Sequence, residues 1–210
     1  MATDAAKNHD VAMVAILRGV LPERVVGIGN VLYDTGFRLI EVPLNSPDPF
    51  ASIAALAACN RPDWTIGAGT VLNVEDVRRT HEAGGRLIVA PNCDAEVIRS
   101  AVALGMQVMP GIATATEAFQ AIRAGAHDLK LFPASTYGPR HLQALRAVLP
   151  QEARVFPVGG VTTRDIPGWL EAGAAGFGLG SELFRPEYNL TVIAQRAVDF
   201  MQVAREGRRL

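Results

Sequence analysis

Five times along this chain a helix-like segment stops at a glycine and a short apolar run begins a few residues later. Gly36 precedes Leu39-Ile40-Glu41-Val42, Gly84 precedes Leu87-Ile88-Val89, and Gly105 precedes Val108-Met109. Gly125 precedes Leu129-Lys130-Leu131, and Gly173 precedes Gly176-Phe177-Gly178. Glycine ends a helix because it adopts the left-handed conformation after the last turn without a steric penalty. Gly84, Gly105 and Gly125 are 21 and 20 residues apart, one βα unit each. The intervals Gly36 to Gly84 and Gly125 to Gly173 are each 48 residues, room for one further unit. Those units supply Trp64-Thr65-Ile66-Gly67-Ala68 and Arg154-Val155-Phe156-Pro157-Val158, and Val11 to Leu17 opens the series. Eight strands alternating with helices imply parallel pairing with right-handed crossovers. The expected fold is therefore α/β, a single (β/α)8 TIM barrel spanning 1–210 with its core at about 11–204. A doubly wound open sheet is the alternative.

Helix starts support the same segmentation. Thr114 to Glu117 and Thr162 to Asp165 have capping-box spacing, the second with Asp for Glu. Asp94 precedes Val97, Ile98, Ala101 and Val102, an apolar stripe at helical period. The last helix runs from Leu190 to about Ala204 and ends in a basic tail.

Charge and cysteine usage narrow the function classes. A net charge of −1 gives no basic face for nucleic acid or an anionic membrane. No apolar run reaches membrane-spanning length, and residues 1–10 lack the apolar core of a secretory signal. Cys59 and Cys93 have neither metal nor redox spacing, which fits a reducing cytoplasm. His9, His81, His127 and His141 lack ligand spacing and are expected on the surface, so no metal is expected.

The chain has only two lysines, Lys7 and Lys130, against eighteen arginines. Lys130 sits in the apolar run Asp128-Leu129-Lys130-Leu131-Phe132-Pro133, followed by the turn-rich Ala134-Ser135-Thr136-Tyr137-Gly138-Pro139. Unlike arginine, lysine offers an amine that burial can deprotonate and that can attack a carbonyl. Glu41, in Leu39-Ile40-Glu41-Val42-Pro43, is likewise a charge placed on a buried strand. The two could form a structural ion pair, or a nucleophile with an acid/base beside it.

Barrel active sites lie at the C-terminal strand ends. There the sequence places Arg18-Gly19, Glu41, Gly69-Thr70, Pro91-Asn92, Lys130, Gly159-Gly160 and Gly180-Ser181. The glycine pairs after strands 7 and 8 provide bare backbone where such barrels bind phosphate. Gly176 to Gly180 does not match G-x-G-x-x-G, and no Walker lysine follows, so no nucleotide cofactor is indicated.

Val14-Ala15-Ile16-Leu17-Arg18-Gly19, Glu41-Val42-Pro43-Leu44-Asn45-Ser46-Pro47, Gly67-Ala68-Gly69-Thr70-Val71-Leu72, Lys130-Leu131-Phe132-Pro133-Ala134-Ser135 and Val158-Gly159-Gly160-Val161 occur in that order. Together they resemble the 2-keto-3-deoxy-6-phospho-sugar-acid aldolases, the class I KDPG/KHG family. Asn45, where gluconate-cleaving members usually carry Arg, and Val158, where they usually carry Thr, resemble the branch that cleaves 2-dehydro-3-deoxy-6-phosphogalactonate.

The resemblance implies a cofactor-free lyase acting on a phosphorylated keto sugar acid, and a homotrimer. It implies Lys130 as the Schiff-base lysine and Glu41 as the acid/base. Arg18 and Thr70 would hold the carboxylate; Gly159, Gly160, Gly180 and Ser181 the phosphate; and Val158 would lie near the C4 hydroxyl. The gluconate and 4-hydroxy-2-oxoglutarate aldolases are the alternatives within the family. A phosphosugar isomerase or epimerase, or a non-catalytic phosphosugar-binding protein, would share the phosphate loops without needing both Lys130 and Glu41.

Overall fold

The structure is a computed structural model that describes residues 11–207. Residues 1–10, with Lys7 and His9 and the expected lack of an export signal, and the tail arginines Arg208 and Arg209 lie outside the described residues.

Strands and helices alternate as the glycine spacing predicts. The order is β1 (Ala12–Ile16), α1 (Pro22–Thr35), β2 (Leu39–Pro43), α2 (Pro49–Ala57), β3 (Thr65–Gly69) and α3 (Val74–Glu82). Next come β4 (Leu87–Val89), α4 (Ala95–Ala103), β5 (Gln107–Met109), β6 (Gly111–Ile112), α5 (Ala115–Arg123) and β7 (Asp128–Leu131). The chain continues through α6 (Ala134–Arg146), β8 (Arg154–Pro157), α7 (Ile166–Glu171), β9 (Gly176–Leu179) and α8 (Leu190–Gly207). All five helix-stopping glycines have positive φ, from 68° at Gly105 to 111° at Gly36. After each, the next residue's N–H donates to the carbonyl five residues back: Phe37 to Leu32, Gly85 to Thr80, Met106 to Ala101, Ala126 to Ala121 and Ala174 to Trp169. This bond closes a Schellman turn and reverses the chain toward the next strand.

All strand pairings are parallel. One sheet has six strands in the order β5-β4-β3-β2-β1-β9, the other three in the order β6-β7-β8. A bridge between Val158 and Gly178 joins the end of β8 to β9. The fifth strand was expected as one piece and is divided at Pro110, which has no N–H to donate to a ladder. Its carbonyl still accepts from the Lys130 N–H at 2.9 Å. Eight expected strands thus appear as nine segments in two sheets.

The main core lies between strands and helices, with Phe37, Ile40, Leu56, Phe177 and Ile193 fully buried. A smaller cluster joins the two sheets through their strands: Val14, Leu87, Val89 and Met109 pack with Phe156 of β8. At the N-terminal strand ends, buried Asp128 accepts Arg154 Nε and Nη2 at 2.6 and 2.8 Å and Gln107 Nε2 at 2.7 Å. This clip holds β5, β7 and β8 together at the end opposite the cavity described below.

Local signals held in some places and failed in others. Thr114 and Glu117 form the expected capping box on α5, and Asp94 caps α4. Val97, Ile98 and Ala101 are buried, but Val102, expected on the same stripe, is 42% exposed. At 100° per residue it turns past the edge of the buried face. Thr162 does not cap α7, which begins at Ile166. A cap at Thr162 would place Pro167 beyond the first turn, where its ring meets the preceding carbonyl, whereas the observed start puts it at the tolerated position. Asp165 instead accepts the Thr162 N–H and hydroxyl at 2.8 and 2.7 Å, fixing the turn before the helix. The turn-rich stretch after Lys130 is the first turn of α6, separated from the rest by non-helical Gly138 (φ 73°, ψ 171°). No helix among the described residues is long and apolar enough to cross a membrane.

Candidate active site

The C-terminal strand ends open into one cavity of about 260 Å³. All nine residues expected at the site line it: Arg18, Glu41, Thr70, Lys130, Val158, Gly159, Gly160, Gly180 and Ser181. Ile16, Pro91, Phe132, Val161, Gly178 and Glu182 complete the lining. Asn92 is exposed and takes no part.

Glu41 sits inside β2, opposite Ile16 of β1 and Gly67 of β3, and is 1% exposed. Space for its carboxylate comes from Gly69, where a Cβ would overlap Oε2. Among the described residues Oε2 has no hydrogen-bond partner. Burial pushes the Glu41 carboxyl up to about 7, against the opposing pull of the Lys130 and Arg18 charges. Lys130 projects from β7, is 6% exposed, and its Nζ lies 4.8 Å from the centre of the Phe132 ring. Burial holds its amine below the ordinary lysine value; the Glu41 charge opposes this and the Arg18 charge reinforces it. The two groups share the cavity without touching. The four ion pairs among the described residues all lie elsewhere, so the structural ion pair is not formed.

Arg18, at the mouth of β1, donates through Nη1 to Asn45 Oδ1 and through Nη2 to Thr70 Oγ1 at 3.5 Å. Asn45 does not line the cavity but holds Arg18, which does, a contact not read from the sequence. Thr70 has φ 58°, a left-handed conformation unusual for a β-branched residue and a local strain held at the cavity wall. The neighbouring Gly19 N–H donates to Ser46 Oγ at 2.9 Å, which ties the loops after β1 and β2 together.

Opposite lie the two glycine loops. Gly159 and Gly160 have φ 96° and 75°, so each needs glycine's freedom. Among the described residues the N–H groups of Gly160, Val161, Ser181 and Glu182 donate to no acceptor. Val158 is 5% exposed and packs where a Cβ on Gly178 would fall.

Three histidines fall within the described residues, and none lines the cavity. His81 is on α3, His127 precedes β7, and His141 Nε2 donates to the Ala113 carbonyl at 2.6 Å. Among the described residues no three His, Cys, Asp or Glu side chains are arranged to hold a metal ion.

The KDPG and KHG aldolase family model matches residues 5–199. The chain belongs to that family. The 2-dehydro-3-deoxy-6-phosphogalactonate aldolase of Escherichia coli K12 is 47% identical over 195 residues, 93% of this chain and 95% of that protein. A solved structure of native KDPGal superposes with a TM-score of 0.92 at 47% identity, covering 94% of this chain and 96% of that one. A cube-shaped, highly porous protein cage designed by fusing symmetric oligomeric domains superposes at TM-score 0.92 and 46% identity, covering 95% of this chain and 74% of that one. As a KDPG/KHG-family aldolase, this chain is a carbon–carbon lyase.

Proposed function

We propose that this aldolase cleaves 2-dehydro-3-deoxy-6-phosphogalactonate to pyruvate and D-glyceraldehyde 3-phosphate through a Schiff base on Lys130. The Lys130 amine attacks the C2 ketone and water is lost, leaving an iminium that withdraws electrons from C3. Glu41, acting as its carboxylate through one water, takes the C4 hydroxyl proton. The C3–C4 pair flows into the iminium, and glyceraldehyde 3-phosphate leaves. Glu41 returns a proton to C3 of the enamine, and hydrolysis frees pyruvate and the amine.

What carries this reading is that Glu41 and Lys130 are buried in one cavity yet unpaired. A direct ion pair would hold the amine protonated and quench both groups. Kept apart, the amine is biased toward its neutral form and the carboxyl toward a pKa near neutrality. Arg18, steadied by Asn45 and Thr70, is suited to the substrate carboxylate, and the free N–H groups of the glycine loops to its phosphate.

The same reading includes a closed (β/α)8 barrel in one domain, cytoplasmic placement and a homotrimer. The Val158–Gly178 bridge and the one-residue step from β5 to β6 support closure, and the similarity to a symmetric oligomeric domain supports assembly.

Incubation with pyruvate and borohydride tests the chemistry. One reduced pyruvyl group is expected, mapped to Lys130 rather than Lys7. An active enzyme with Lys130 unmodified excludes the Schiff-base reading.

A further inference from the structure

The part of the cavity lined by Gly159, Gly160, Gly180, Ser181 and Glu182 poses an electrostatic problem for a phosphate. These five lining residues include no lysine or arginine and one acidic residue, Glu182. Arg18 is turned toward Asn45 and Thr70, and Lys130 comes from β7. Backbone N–H groups alone would have to balance about two negative charges.

The missing positive charge stands one layer behind. Arg196 of α8 donates through Nη1 to the Glu182 carbonyl at 2.7 Å. Arg185 Nε donates to the Ser181 carbonyl at 3.2 Å. Both guanidiniums stack on Tyr188, at 4.8 and 5.8 Å from its ring centre. Arg24 anchors the same loop by donating to the Pro186 carbonyl and, at 2.6 Å, to the Tyr188 carbonyl. None of these three arginines is in an ion pair with a carboxylate among the described residues.

The peptide connectivity carries their charge inward. The Ser181 carbonyl held by Arg185 shares its peptide group with the N–H of Glu182, a residue of the cavity lining. The Glu182 carbonyl held by Arg196 shares its peptide with the Leu183 N–H, which donates to the Gly180 carbonyl at 2.9 Å. That carbonyl in turn shares its peptide with the N–H of Ser181, again a residue of the lining. Each path runs from a guanidinium, through one or two peptide groups, to an N–H without a protein acceptor. A cation on the carbonyl end of a peptide polarises its N–H, and bonds in a chain reinforce one another.

We infer that Arg196 and Arg185 are positioning residues for phosphate recognition, charging the Ser181 and Glu182 N–H groups through the peptide chain without touching the ligand. This rests on the phosphate placement proposed above and adds what supplies its charge.

Inorganic phosphate as a competitive inhibitor, measured beside borohydride trapping of the pyruvate imine, separates the two halves of the site, because pyruvate has no phosphate. Arg196→Met keeps the stem that covers Tyr188 and removes the charge. It is expected to raise the phosphate inhibition constant and the KM for the phosphorylated substrate roughly tenfold, a typical effect of losing a charge-assisted hydrogen bond. Pyruvate imine formation should stay within twofold, and Arg196→Lys should recover part of the loss. Arg185→Met, at an exposed position, should show the same pattern and keeps the test open if Arg196→Met does not fold. Unchanged phosphate inhibition in the variants overturns the relay, as does equal weakening of phosphate and pyruvate. A wild-type enzyme that phosphate does not inhibit instead overturns the phosphate placement itself, together with the relay built on it.

Discussion

The Glu41 carboxylate occupies the space that a side chain on Gly69 would fill: a Cβ there would lie 1.3 Å from Oε2 and 2.2 Å from Cδ. The reach of the acid and the bareness of the neighbouring strand are therefore one feature. Gly69→Ala is expected to displace the carboxylate and lower kcat at least a hundredfold, while pyruvate imine formation on Lys130 persists. Pairing it with Glu41→Asp, one methylene shorter, should recover a measurable part of kcat. No recovery in the double variant would show that the glycine serves backbone packing only.

Glu41→Gln keeps the shape of the side chain and removes its proton chemistry. Turnover should fall about 10²- to 10⁴-fold, the usual worth of a general acid/base, with imine trapping retained. In the wild type, kcat/KM should rise through a limb near pH 7, where the carboxyl ionises, and the variant should lack that limb. Near-wild-type turnover in a folded variant would remove Glu41 from the mechanism.

Burying this acid has a pH-dependent thermodynamic cost. Below its ordinary value of 4.5 the carboxyl is protonated in both folded and unfolded chains, and the cost is absent. Between 4.5 and about 7 the unfolded chain ionises while the folded one stays protonated, so stability falls as pH rises. Urea titrations from pH 4 to 8 should show Glu41→Gln gaining on the wild type, from no difference to about 3 kcal/mol. A variant that instead loses ground as pH rises would mean Lys130 holds Glu41 ionised in the folded state.

The glycine-stopped repeat was enough to place the strand ends, and with them the nine residues that line the cavity. Each lies at or near the C-terminal end of its strand, and parallel strands bring those ends together whatever the helices do. What escaped was the identity of partners, which depends on where loops cross. Nothing in Asn45 as a letter tells that Arg18, 27 residues away, donates to it. Lys130 and Glu41 are readable as buried charges because each interrupts an apolar run. That they stay unpaired depends on side-chain reach within the cavity. Pro110 was visible, but a proline at a strand end reads the same as one that divides a strand. Nothing in the sequence around Arg185 and Arg196 tells which carbonyls they hold; only the path of the loop after β9 shows it.

The proposed choice of epimer is testable at Val158, which lines the cavity. A side chain without a hydroxyl cannot require the C4 hydroxyl in one configuration, so discrimination should be modest. Val158→Thr adds a hydroxyl at the cavity wall and should shift the ratio of kcat/KM toward the gluconate epimer by roughly fivefold, the worth of one neutral hydrogen bond. A wild-type preference for gluconate, unmoved by this substitution, would refute the galactonate assignment and leave the aldolase chemistry standing.

The pairing of β1 with β9 sets an order of events in the making of the protein. β1 leaves the ribosome before the other eight strands, yet its second neighbour, Gly176–Leu179, leaves after all of them. During synthesis the Ala12–Ile16 edge therefore stands without this partner, an open template for wrong pairing until β9 has emerged. The same late segment brings Gly178, Gly180 and Ser181 to the cavity wall. A nascent chain that already carries both Glu41 and Lys130 still has a cavity without one of its walls, and that wall arrives only as the sheet edge is covered.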